Sequence, residues 1–148
     1  MAGVAKLFDG HILNKSNKEV DLYGKKYKGK IIGLYFSAHW CPPCRAFTPL
    51  LNELYNEYHK EKKFKIIFIS CDNDEKSFNS YYKDMPWLTL DFNERKKKEE
   101  LLKKFHVNGI PKLVLLDGDS GKIICTNATE QILYMDPEGK HFPWKSKK

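Results

Sequence analysis

The sequence predicts an α/β fold in which a mixed central β-sheet is flanked by helices. Three observations carry that expectation. Short apolar runs alternate with segments of helical period, the pattern of parallel strands joined by crossover helices. Near the end, two strand-like runs flank Asp117-Gly-Asp-Ser-Gly121, a turn-rich stretch that reads as a hairpin and adds an antiparallel edge. The length, 148 residues, suits one domain, so residues 1–148 are expected to share one core.

Each element follows from its own residues. Residues 1–22 carry weak strand character at Leu7-Phe8, at His11-Ile12-Leu13 and at Val20-Asp21-Leu22, with a turn-rich stretch at 14–18. Ile31-Ile-Gly-Leu-Tyr-Phe36 is nearly all apolar, as a central strand covered on both faces requires. After Pro42 and Pro43, the residues Phe47, Leu50, Leu51, Leu54, Tyr55 and Tyr58 keep helical spacing, and Pro49 predicts a kink in that helix. Residues 64–69 read as a second buried strand. Residues 72–74 look like the cap of a helix with Phe78, Tyr81, Tyr82 and Met85 on one face, ended by Pro86-Trp87. A third helix is expected over 94–105, with Leu101, Leu102 and Phe105 inward. Residues 113–116 and 122–126 form the late strand pair, and 129–135 a short helical stretch. The tail, 136–144, is marked by proline and glycine. It also holds Phe142 and Trp144, so it is expected to fold back on the body. The expected order is strand, helix, strand, helix, helix, strand, strand, with an extra N-terminal piece.

Composition narrows the function classes. Hydrophobic residues make up 41% of the chain and aromatic residues 14%, too much for intrinsic disorder. Four cysteines are too few for a disulfide scaffold. No apolar run approaches the roughly 20 residues of a membrane span. The formal charge is +7, from 26 basic and 19 acidic residues. Only Arg45 and Arg95 are arginine, the side chain best suited to bidentate phosphate and base contacts. The lysine clusters at 60–63 and 95–98 therefore read as solvated faces, and neither a nucleic acid nor a membrane is expected as partner. Lys6 and Asp9 interrupt any apolar core of a secretory signal, which points to a reducing cytoplasmic location with access to a nucleus. A monomer is expected.

Trp40-Cys41-Pro42-Pro43-Cys44 is the informative motif. It stands where a buried strand ends and a helix begins. A helix start offers free N–H groups and the positive end of the dipole, both of which stabilise a thiolate. Cys41 is thus the expected attacking sulfur, and Cys44, one turn inside, the resolving one. Pro42 and Pro43 suit the first turn, where no backbone donor is needed. A zinc site would need a second ligand pair at short spacing. Cys71 and Cys125 lie far apart, and His39 and His106 stand singly, so no metal is expected. Covalent haem attachment needs a histidine where Arg45 stands. Gly109-Ile110-Pro111 precedes a strand. Beside a dithiol, Pro111 is expected in the cis form and facing it, leaving the Ile110 backbone free to pair with an incoming peptide. An ordinary trans turn proline is the plainer alternative.

Four blocks together resemble the tryparedoxin/nucleoredoxin branch of the thioredoxin superfamily. They are Tyr35-Phe-Ser-Ala-His-Trp-Cys-Pro-Pro-Cys-Arg-Ala-Phe-Thr-Pro49, the stretch Tyr81-Tyr82 to Met85-Pro-Trp-Leu88, Ile110-Pro111, and Asp136-Pro-Glu-Gly-Lys-His-Phe-Pro-Trp144. The resemblance spans nearly the whole chain. It implies a thioredoxin fold with an N-terminal β-hairpin extension and a protein-disulfide reductase. Its only redox centre would be the Cys41–Cys44 disulfide, with no added cofactor. It further implies disulfide-bearing clients such as peroxiredoxins, recharged by trypanothione, glutathione or thioredoxin reductase. A redox-gated protein-binding module with little turnover is the alternative that nucleoredoxins suggest.

The sequence departs from the wider superfamily at two places. Tyr35 stands where thioredoxins carry a buried acid. Asp72 is then the candidate proton acceptor for the resolving thiol, or simply a helix cap. Cys71 stands where tryparedoxins carry tryptophan and reads as a small buried side chain or a regulatory thiol. Trp40 is expected to shield the dithiol, His39 to tune it, and Cys125 to pack in a core strand.

Overall fold

The computed structural model describes residues 3–8 and 10–145. The chain runs through α1 (Gly3–Phe8), β1 (Ile12–Leu13), β2 (Ile31–Ser37), α2 (Pro42–Tyr58), β3 (Phe64–Ser70), α3 (Glu75–Tyr82) and β4 (Leu88–Leu90). It continues with α4 (Arg95–Lys104), β5 (Lys112–Asp117), β6 (Ile123–Cys125) and α5 (Ala128–Glu130). A turn of 3-10 helix at Lys25–Tyr27 and a π-helical turn at Gln131–Met135 complete it.

The strands form one six-stranded mixed sheet in the order β1-β4-β3-β2-β5-β6. The β2–β3 and β3–β4 pairs are parallel, and the others are antiparallel. β2 and β3 pair along their whole length, from Ile31 opposite Phe64 to Ser37 opposite Ser70. That register brings the loops after both strands to the same sheet edge, and this positions the site.

Side chains alternate across the sheet. One set, including Tyr35, Phe68 and Leu113, joins Phe47 and Leu51 of α2, Phe78 of α3 and the tail residues Phe142 and Trp144. The other, including Leu34, Phe36, Ile67 and Ile69, joins Val4 and Phe8 of α1 and Leu101 of α4. β2 and β3 are buried on both sides, which is why both read as mostly apolar runs, with Lys65 the one charged residue in them.

The expected elements recur with three corrections. Leu7 and Phe8 close helix α1 instead of forming a strand. Val4, Ala5 and Phe8 sit on one helical face, and that spacing outweighs the strand preference of a short apolar pair. The N-terminal hairpin is minimal: two-residue β1 bridges back only at Leu13–Glu19, supported by the Val20 N–H donating to the Ile12 carbonyl at 2.8 Å. β4, three residues long and directly after Pro86-Trp87, was too short to show a period of its own. Pro49, where a kink is expected, lies inside α2. The cap of α3 is Asp74, which accepts the Ser77 N–H at 2.8 Å.

The tail folds back as expected, and Asp136 holds it there. Its carboxylate accepts the Lys140 N–H at 3.1 Å, the His141 N–H at 2.8 Å and the Trp144 indole N–H at 2.8 Å. Burial works to raise the pKa of this carboxyl, but those three donors hold it below the usual aspartate range. A depressed folded pKa gives a contribution that is complete above the unfolded value, about 3.9, and is lost as pH falls through the lower folded one. Asp136→Ala should therefore cost about 1.5–3 kcal/mol near neutral pH. Urea unfolding should show the gap to wild type closing below about pH 4. A gap unchanged at acid pH would contradict this reading.

Candidate functional site

β2 ends at Ser37 and α2 begins at Pro42, so the four residues between them turn the chain at the sheet edge. Cys41 is the N-cap of α2, and Pro42 and Pro43 take its first positions. Neither proline has an N–H to leave unsatisfied there. The first free N–H inside the helix is that of Cys44, and it donates to the Cys41 sulfur at 3.3 Å. The cap is thus made by sulfur in place of the usual oxygen. On its other side the Cys41 thiol reaches the Ile110 carbonyl at 3.8 Å. The Ile110–Pro111 bond is cis, as expected. Both cysteines are buried, Cys41 at 5% exposure and Cys44 at 0%.

Burial pushes the Cys44 thiol up to about 12, and its bond with Cys41 adds to that. The Ser37 hydroxyl and the Ala38 backbone N–H pull the other way. Ser37 begins a chain of buried hydroxyls. Its Oγ lies 2.7 Å from the Tyr81 hydroxyl, which lies 2.6 Å from Thr48 Oγ1, itself 2.6 Å from the Tyr35 hydroxyl. Thr48 donates its single proton to the Cys44 carbonyl at 2.9 Å. The rest of the proton order follows by counting, because each hydroxyl has one proton. Tyr35 and Tyr81 must both donate to Thr48, and Ser37 must donate to Tyr81. The Ser37 hydroxyl, a donor by this count, favours the Cys44 thiolate over the thiol. Burial raises the pKa of both tyrosines, so they stay protonated donors and cannot serve as bases.

Asp72 is buried, as a proton acceptor would need, but it is engaged elsewhere. One oxygen accepts the His39 N–H at 2.7 Å and the other the Ser70 hydroxyl at 2.7 Å. It ties the loop after β3 to the loop that carries Cys41. No bond joins it to Cys44 among the described residues. The hydroxyl chain that does meet Cys44 escaped the sequence reading. The available signal was Tyr35 and Ser37, two residues apart and so on one face of β2.

Trp40 is 56% exposed, and its indole N–H donates to the Cys71 carbonyl at 3.0 Å. It stands at the rim of the site, pinned to the end of β3. The His39 ring lies against Tyr81, with centroids 5.6 Å apart. Cys71 is half-buried and packs with Ile110 against Ala38, Cys41 and Cys44. Burial pushes its thiol up to about 11, against the pull of Lys98 and Arg95. Arg95 donates to the Ser70 carbonyl at 2.9 Å and so fixes the end of β3. Cys125 is buried at the end of β6, as a core residue should be. Among the described residues no three histidine, cysteine or acidic side chains cluster in a way that could hold a metal ion.

Comparison with known proteins agrees with this geometry. A thioredoxin-like family model matches residues 29–123. Over 146 residues the chain is 46% identical to tryparedoxin of Trypanosoma brucei brucei, covering 97% of this chain and 99% of that one. Over 141 residues it is 37% identical to nucleoredoxin of Danio rerio, covering 95% of this chain but only 33% of the relative. Among solved structures, tryparedoxin from Trypanosoma brucei superposes with a TM-score of 0.91 at 45% identity, covering 99% of this chain and all of that one. Tryparedoxin II complexed with glutathionylspermidine gives 0.92 at 40% identity, covering 98% of this chain and all of that one.

The unequal thiols lead to a labelling prediction. Iodoacetamide should modify Cys41 well before Cys44 in the reduced protein. Ser37→Ala should slow labelling of Cys44 about tenfold, the effect of losing one hydrogen bond to a thiolate, and leave Cys41 unchanged. Peptide-resolved mass spectrometry reads both rates. Faster labelling of Cys44 in either protein would contradict the arrangement.

Proposed function

The chain belongs to the thioredoxin-like family and is a thioredoxin-like oxidoreductase; from that premise we propose that it reduces protein disulfides through Cys41 and Cys44. The observation that carries this reading is the N-cap sulfur of α2 beside a second, more deeply buried thiol one turn away. The cycle balances with these two groups alone. The Cys41 thiolate attacks a client disulfide, forms a mixed disulfide and expels one client thiolate. Cys44 then attacks the Cys41 sulfur, closes the Cys41–Cys44 disulfide and expels the second client thiolate. The proton of Cys44 leaves with a departing client sulfur, while Ser37 turns to donate to the developing Cys44 thiolate.

The neighbouring residues have positioning roles in this cycle. Pro42 and Pro43 hold the first helical turn rigid, and Asp72 fixes the loop that carries Cys41. Trp40 and the Ile110 backbone, ahead of Pro111, border the place where a client peptide would lie. No cofactor is needed beyond the dithiol. A dithiol or reductase donor must reopen the disulfide, which fits a reducing compartment such as the cytoplasm. Peroxiredoxin-type clients suit a reductase of this kind. Trypanothione, glutathione or thioredoxin reductase could each supply the electrons. The complex of tryparedoxin II with glutathionylspermidine supports a donor that joins glutathione to a polyamine.

Insulin reduction driven by dithiothreitol tests the proposal. The wild-type chain should accelerate precipitation of the insulin B chain. Cys41→Ser should fall to the rate of dithiothreitol alone. Wild-type activity no better than that of Cys41→Ser would overturn the reading and leave a binding module in its place.

A further inference from the structure

The outer face of α2 carries a feature that the dithiol does not use. From Leu50 to Tyr58 it forms one wall of a groove of about 600 Å³, and the turn at 131–135 with the start of the tail forms the other. Leu50, Leu54 and Leu133 line it, and Glu53, Glu57 and Glu138 rim it. The one basic residue in the lining, Lys140, is paired to Glu138 at 3.3 Å. Glu53 and Glu57 have no ion pair among the described residues and stand four residues apart, on one side of the helix. The Tyr58 hydroxyl reports the same field: burial pushes its pKa up, and so do Glu57, Glu61, Glu138 and Asp136. This is an acidic surface on a chain of net charge +7. Leu50 in its lining is exposed, and Tyr134 and Met135, also exposed, stand on the adjoining turn outside it.

We propose that this groove docks a basic amphipathic segment of a partner protein. Apolar side chains of the segment enter between Leu50, Leu54 and Leu133, and its lysines or arginines meet Glu53 and Glu57. Charge complementarity selects the partner. A neutral or acidic segment would cover two unpaired carboxylates without compensation. Leu50 stands roughly 9 Å along the helix axis from Cys44, so a docked segment leaves Cys41 open. The proposal is independent of the dithiol chemistry, and binding should survive Cys41→Ser.

A helical peptide of leucine on one face and lysine on the other is the probe, titrated into the full chain. Amide shifts should concentrate at residues 50–58 and 131–140. Glu53→Lys with Glu57→Lys should weaken binding about tenfold or more, and insulin reduction should be unchanged. Glu53→Gln with Glu57→Gln should weaken it in the same direction, which covers the case where charge reversal disturbs the helix. The same peptide with glutamate for lysine should not bind. Equal affinity for both peptides, shifts centred elsewhere, undiminished binding by the Gln variant, or displacement of the peptide by spermidine alone would overturn the proposal.

Discussion

The bond from the Cys44 backbone N–H to the Cys41 sulfur is the contact on which the site depends. It exists because a buried strand stops at Ser37 and a helix starts at Pro42, with two prolines that need no acceptor of their own. The sulfur is placed where the helix presents its first unsatisfied donor and its positive end. The parts around it secure that placement. Asp72 bonds the loop from beneath, the Ile110 carbonyl faces the thiol, and Arg95 holds the end of β3 from which Asp72 projects. The seven-residue register of β2 on β3 brings all of them to one edge.

The same turn buries Cys44 more deeply than Cys41, and burial raises the pKa of the second thiol. Of the hydroxyl chain, Ser37 works against that rise and Thr48 binds the Cys44 carbonyl, and neither brings charge. The protons in that chain are ordered by the one bond from Thr48 to the Cys44 carbonyl. Tyr35 closes that chain with a neutral hydroxyl. The consequence is chemical: neutral hydroxyls can stabilise a thiolate but cannot hold its proton. In the proposed cycle that proton therefore leaves with a client sulfur.

Much of this was legible in the sequence, for identifiable reasons. β2, β3 and α2 were readable because burial on two faces gives mostly apolar runs and burial on one gives a helical stripe. The dithiol was readable because its residues are adjacent. The parts that were not readable depend on pairing over distance. β4 is three residues long and is fixed by its neighbours β1 and β3. Leu7 and Phe8 look like a strand until Val4 and Phe8 are seen buried together on one helical face. The hydroxyl chain draws on β2, α2 and α3, and only its Tyr35–Ser37 pair, two residues apart on β2, shows in the spacing. Asp72 bonds the loop that carries Cys41. Its bonding to His39 and Ser70 needed coordinates.

The central claim is that the two thiols have different tasks set by the start of α2. Trapping tests it most directly. Incubated with a disulfide-bearing client, Cys44→Ser should accumulate a mixed disulfide, and mass spectrometry should find the client linked to Cys41. Cys41→Ser should accumulate little or none. A stable adduct on Cys44 in the Cys41→Ser protein, with none on Cys41 in the other, would contradict the account.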